Sequence, residues 1–122
     1  MKTIPELLEE AVKKGLASID GIEAKAVISR DGLLIWGDMP AGQNPYSFAA
    51  MISTVFGASE NASIEACKGI PSRVIIESEI GEIFVVGAGP KALFVVLTAS
   101  NQVGIFLLEM QKIAKEIKEI LE

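Results

Sequence analysis

Residues 72–98 read SRVIIESEIGEIFVVGAGPKALFVVLT. Three apolar runs rich in β-branched and aromatic residues lie in this stretch: Ser72–Glu77, Glu82–Val86 and Ala92–Thr98. Runs of this length and composition predict strands. Gly81 and the segment Gly87-Ala-Gly-Pro90-Lys91 fit the turns between them. Neither gap has room for a crossover helix, so the three strands should pair antiparallel. The second turn also matches the spacing Gly87-x-Gly89-x-x-Ala92 of a dinucleotide-binding loop. That chemistry needs a helix to begin at the loop, so that its N-terminus can hold a pyrophosphate. Here the strand-like Leu93-Phe-Val-Val-Leu97 follows instead. Glu109, at about the right distance for the ribose acid, falls on a helix rather than at a strand end. A hairpin turn is the reading, and no cofactor is expected.

Upstream, the first segment predicts an amphipathic helix. Ile4, Leu7, Leu8, Ala11, Val12, Gly15, Leu16 and Ile19 recur at helical spacing, with Glu9, Glu10, Lys13 and Lys14 on the other side. Thr3 and Glu6 have the spacing of a capping box, Pro5 stands in the first turn, and Asp20-Gly21 closes the segment. A hairpin follows, with strands at Ile22–Ser29 and Leu33–Trp36 around the tight turn Arg30-Asp31-Gly32. Gly37 to Asn44 is a loop. A second helix is expected from Pro45 to Ala66. The last helix runs from about Gln102 to Leu121, with Val103, Phe106, Leu107, Met110, Ile113, Ala114, Ile117 and Leu121 as its buried stripe. The element order is α-β-β-α-β-β-β-α, an α+β sandwich with helices on both faces of one sheet.

The second helix is unusual, because no charge occurs from Pro45 to Ser59. A surface helix ordinarily shows water a charged face. Phe48, Met51, Ile52, Val55 and Phe56 are its large apolar residues, expected to pack on the sheet. Ala50, Ser53, Thr54, Gly57, Ala58 and Asn61 form a second stripe in which every member is small or short and polar. Small residues let two helix backbones approach, and Gly57 costs about 1 kcal/mol relative to Ala in a helix interior unless something offsets it. Both other helices are already amphipathic, so the expected neighbour is the same helix of a second copy, in an isologous contact. The competing reading has the stripe covered by the Gly37–Asn44 loop or by another helix of the same chain.

The chain has 122 residues, half of them apolar, a length that fits one domain and allows a core without metals or disulfides. The net charge of −5 repels phosphate backbones, so nucleic acid is not an expected partner. The absence of histidine removes Ser-His-Asp and Cys-His nucleophile activation and all histidine-ligated metal sites. Cys67 cannot form an internal disulfide and is expected to be a buried, inert thiol. No apolar run has the ~20 residues of a membrane span, and the early acidic helix does not resemble a signal peptide, so a cytoplasmic location is expected. The carboxylates read as solvated faces. Arg30, in the first turn, is a candidate to touch a partner's phosphate or acidic loop, although a turn arginine is more often merely solvated.

Three stretches, taken with the element order, resemble the roadblock/LC7 family over nearly the whole chain. Val27-Ile-Ser-Arg-Asp-Gly-Leu-Leu-Ile35 with Asp38-Met-Pro40 is similar to its signature hairpin. Phe48-Ala-Ala-Met-Ile52 is similar to the opening of its central helix. Asn101-Gln-Val-Gly-Ile-Phe-Leu-Leu-Glu-Met110 is similar to the turn into its last helix. Two departures stand out: Asn101 lies three residues before Gly104 where the family commonly has Asn-x-Gly, and Trp36-Gly37 replaces smaller residues. An exposed Trp36 would be a partner anchor and a buried one ordinary core.

The resemblance implies a profilin-like, five-stranded antiparallel sheet formed by a single domain over residues 1–122. The central helix would lie on one face and the terminal helices on the other. It also implies a homodimer that pairs the central helices through Ala50–Asn61 and the edge strands through Arg73, Ile75 and Glu77. Family members regulate or join small Ras-like GTPases, or act as scaffolds. A homodimeric, non-catalytic binding module for a Ras-like GTPase is therefore the expected function, and a passive dimeric scaffold subunit with no effect on GTP turnover is the alternative. No G-x-x-x-x-G-K-(S/T) loop occurs, so binding of GTP by the chain itself is not expected.

Overall fold

The computed structural model describes residues 1–99 and 105–122. In chain order the elements are α1 (Ile4–Leu16), β1 (Ile22–Ser29), β2 (Leu34–Asp38), α2 (Pro45–Glu65), β3 (Arg73–Glu77), β4 (Glu82–Ala88), β5 (Ala92–Thr98) and α3 (Ile105–Leu121). The five strands form one antiparallel sheet in the order β2-β1-β5-β4-β3, with β2 and β3 at its edges.

Alternation along the strands assigns each side chain to one of two cores. Val27, Phe84, Val86, Phe94 and Val96 point to the face covered by α1 and α3, where they meet Leu8, Val12, Leu16, Met110, Ile113 and Ile117. Their neighbours Ala26, Ile28, Val85, Leu93 and Val95 point to the opposite face, which is covered by Ala49, Ile52 and Phe56 of α2. The result is a three-layer α/β/α sandwich with antiparallel β5 buried at its centre.

Local chemistry sets the element ends. The Thr3 hydroxyl accepts from the Glu6 N–H at 3.3 Å while the Glu6 carboxylate accepts from the Thr3 N–H, completing the expected capping box. The Asn44 side chain caps α2, accepting from the N–H groups of Tyr46 and Ser47 at 3.1 and 3.2 Å. Asn44 is thus a cap as well as the last residue of the expected Gly37–Asn44 loop. Strand β2 begins one residue later than expected and continues through Gly37 to Asp38, because Lys25 pairs with Asp38 both in register and as an ion pair at 3.4 Å. Strand β4 extends through Gly87 to Ala88, so only Gly89-Pro90-Lys91 forms the turn, with Gly89 at φ +78°. No helix starts there, which rules out the geometry of a dinucleotide loop. The expected start of α3 at residues 102–104 lies outside the described residues, as do Asn101 and Gly104.

Candidate functional site: the outward face of the central helix

Helix α2 touches the sheet through a narrow row. Ala49, Ile52 and Phe56 are buried, and Phe48 packs partly against the same cluster. Met51 and Val55 depart from expectation: they are 58% and 38% exposed. At 3.6 residues per turn each sits about 100° before its buried successor, Ile52 or Phe56, and so rotates off the sheet. The outward face therefore carries large and small residues together: Ser47, Ala50, Met51, Thr54, Val55, Ala58, Asn61 and Ala62, all uncharged. Tyr46 and Ile64 are also exposed, 72% and 55%.

The small stripe divides into two parts with different surroundings. A Cβ added to Gly32 would lie 3.3 Å from the Ala50 Cα and 2.9 Å from the Ser53 hydroxyl oxygen. The β1–β2 turn thus already approaches the helix at Ala50 and Ser53, and Gly32, at φ +95°, permits it. This intramolecular cover comes from the hairpin turn rather than from the Gly37–Asn44 loop. Further along, a Cβ on Gly57 would meet no atom within 4 Å, and Thr54, Ala58 and Asn61 are exposed. Among the described residues, no contact within the chain calls for a glycine at 57.

At the sheet edge, Arg73 and Glu77 of β3 are exposed and Ile75 is half-buried toward the α1–α3 cluster, while Val74 and Ile76 lean toward the α2 cluster. Only β4 pairs with β3 among the described residues, so one edge of its backbone is open. The outward face of α2 is thus uncharged from Ser47 to Ala62, and β3, like β2 at the other end of the sheet, has one open edge among the described residues.

The two residues singled out as partner contacts are engaged internally. Arg30 donates to Glu60 at 3.0 Å and to the Gly89 carbonyl at 2.9 Å, and its guanidinium lies 5.2 Å from the Phe56 ring centroid. Three anchors hold it back from acting as a free finger. Trp36 is half-buried, pairs in register with Val27, and packs against the α1–α3 cluster. Two further expectations fail. Cys67 is exposed, because the chain turns at φ +61° just beyond α2 and lifts it off the core. Glu82 is 2% exposed and accepts from the Thr98 hydroxyl at 3.3 Å, so not every carboxylate faces water. Leu33, 65% exposed at the hairpin next to Gly32, and the exposed pair Met51 and Val55 do not belong to the small stripe, the part of α2 from which sequence reasoning drew its candidate surface.

Among the described residues no group of three or more His, Cys, Asp or Glu side chains could hold a metal ion, and no helix is long and apolar enough to cross a membrane.

Comparison with known proteins places this architecture. The family model for the Roadblock/LC7 domain matches residues 8–98. The uncharacterized protein MJ1340 of Methanocaldococcus jannaschii is 32% identical over 103 residues, 84% of this chain and 90% of its own. Among solved structures, MglB with tetrameric arrangement superposes with a TM-score of 0.87 at 16% identity, over 98% of this chain and 91% of that one. Acanthamoeba castellanii profilin IA superposes with a TM-score of 0.62 at 14% identity, over 90% and 95%. The sandwich is thus profilin-like, and the chain belongs to the roadblock/LC7 family.

Proposed function

We propose that two copies of this chain join through the outward face of α2 and the open edge of β3, and that the pair binds and regulates a small Ras-like GTPase. The observation that carries the self-association is the uncharged outward row of α2 from Ser47 to Ala62. Facing a second copy, Met51 and Val55 would leave water, while Thr54, Gly57, Ala58 and Asn61 would let the helix backbones approach. The hairpin turn already uses Ala50 and Ser53, which would lie at the margin of the seam.

Strand β3 supports the same arrangement. Its sequence, Arg73-Val-Ile-Ile-Glu77, is self-complementary under antiparallel pairing. With the two-fold axis at Ile75, Arg73 stands opposite Glu77 of the partner subunit, and symmetry repeats the pair. Pairing would also satisfy an open strand edge that otherwise invites aggregation. A tetrameric arrangement of a structurally similar MglB gives a precedent for self-assembly on this fold.

The GTPase reading rests on membership in the roadblock/LC7 family, whose resemblance in sequence implies regulators and subunits of Ras-like GTPases. The chain contributes docking surface, and nucleotide chemistry belongs to the partner. The test is binding to the Ras-like GTPases of the same organism, each loaded with GDP or a non-hydrolysable GTP analogue, with GTP turnover followed in parallel. Preference for one nucleotide state with altered turnover is the expected result. Binding with unchanged turnover would make the chain a passive scaffold, and no binding in either state would remove the GTPase reading.

A further inference from the structure

Away from the outward face of α2, one end of the sheet borders an open groove of about 550 Å³ between the β4–β5 turn, α3 and residues 70–72. This volume is in the range of small-molecule sites. Its lining holds three cations, Arg30, Lys115 and Lys118, against one carboxylate, Glu60. Arg30 neutralises that carboxylate at 3.0 Å. Lys115 and Lys118 form no ion pair with any described carboxylate. The groove therefore carries an excess of two positive charges in a chain whose net charge is −5.

The glycines of the β4–β5 segment build this groove. A Cβ on Gly87 would lie 3.1 Å from an Arg30 guanidinium nitrogen, and a Cβ on Gly89 would lie 2.5 Å from the Lys118 Cγ. Side chains at either position would displace the cations that close over the turn. Arg30 is held by Glu60 and Gly89, and its Nε, which is buried, has no acceptor. Ile70, Pro71 and Val86 supply apolar wall beside these charges. A preset guanidinium, two unpaired ammonium groups and an apolar wall form a combination suited to an anionic small molecule.

We propose that this groove binds a small ligand bearing a phosphate or carboxylate group, which Lys115 and Lys118 hold while its less polar part rests on Ile70, Pro71 and Val86. A long polyanion such as nucleic acid would meet the negative remainder of the surface, so a small ligand is favoured over a polymer. The proposal is independent of the GTPase reading and of self-association.

The test is titration of the full chain with inorganic pyrophosphate and, separately, with citrate, followed by backbone amide chemical shifts. Saturable shifts confined to residues 70–72, 86–91 and 111–118 are expected at millimolar concentrations or below. The preferred probe assigns phosphate or carboxylate. The double variant Lys115→Glu/Lys118→Glu, at exposed positions, should weaken binding about tenfold or more, while Lys13→Glu/Lys14→Glu on α1 should leave it unchanged. Gly89→Ala should weaken it too, by displacing Lys118. Absence of saturable shifts with both probes would overturn the proposal. So would shifts spread equally over every lysine, or unaltered affinity in the Lys115→Glu/Lys118→Glu variant with its fold confirmed by circular dichroism.

Discussion

The two helical layers of this sandwich solve the same problem in opposite ways. Helices α1 and α3 bury apolar rows against one face of the sheet and show water Glu9, Glu10, Lys13 and Lys14 in α1, and Lys112, Lys115, Glu116, Lys118 and Glu119 in α3. Helix α2 buries an apolar row against the other face, but its outward row has no charge from Ser47 to Ala62, with Glu65 only at its end, and exposes Met51 and Val55. Burial of the inward row is what folding requires, and both layers provide it. The outward row is free to serve something else, and in α2 it carries no solvating charge from Ser47 to Ala62. The α1–α3 layer shows water a charged exterior, whereas the α2 layer shows it an uncharged row from Ser47 to Ala62, the surface proposed to meet a second copy.

Removal of inward-facing bulk should hurt both layers alike. Phe56→Ala and Ile113→Ala each empty a fully buried site, and each should cost about 2–5 kcal/mol in chemical denaturation. A much smaller loss for Phe56→Ala would mean that α2 is loosely held and that the layers differ inside as well as outside. Outward substitutions should separate them. Thr54→Asp places an unpaired charge in the proposed seam and should cost about 3 kcal/mol or more of association, over a hundredfold in Kd. Lys13→Asp, on the outward side of α1, should change neither association nor stability by more than about 0.5 kcal/mol. Gly57→Leu should force the α2 helices apart, giving a monomer or an aggregate; an unperturbed dimer would place the seam elsewhere on the molecule.

The smallest effect has the most informative sign. Gly57→Ala meets no steric obstacle within the protomer, so in an isolated chain it should stabilise α2 by about 1 kcal/mol. If Gly57 lies in a close helix–helix contact, the same substitution should weaken association. Denaturation at low and high protein concentration distinguishes the two.

The comparison also marks where patterning was sufficient and where it failed. The amphipathic α1, the Arg30-Asp31-Gly32 turn and the strands after residue 72 follow from periodicities of 3.6 and 2 and from glycine positions, so they could be read directly. Strand β5 matches residue for residue, Ala92–Thr98. Helix α2 has the type expected and ends at Glu65, one residue before the expected Ala66, but its low amphipathicity blurs its orientation. With no charge to mark the outward side, Met51 and Val55 looked like core, and only their geometry relative to Ile52 and Phe56 shows otherwise. The approach of Gly32 to Ala50, the clamp on Arg30 and the burial of Glu82 bring together residues distant in sequence, which periodicity does not encode. The Gly87-x-Gly89 pattern leads into a turn between β4 and β5, as read, yet its role in admitting Arg30 and Lys118 becomes visible only in three dimensions.

The most direct test of the central claim, that the outward face of α2 and the edge of β3 join two copies, is sedimentation equilibrium of the unmodified chain beside Thr54→Asp. The chain has a mass of 13.0 kDa, so the account predicts about 26 kDa, twice that value, at micromolar concentration. It further predicts a return to the single-chain mass in the variant with the fold intact. A wild-type chain that stays at 13.0 kDa into the high micromolar range, or a Thr54→Asp variant that remains a full dimer, would contradict it.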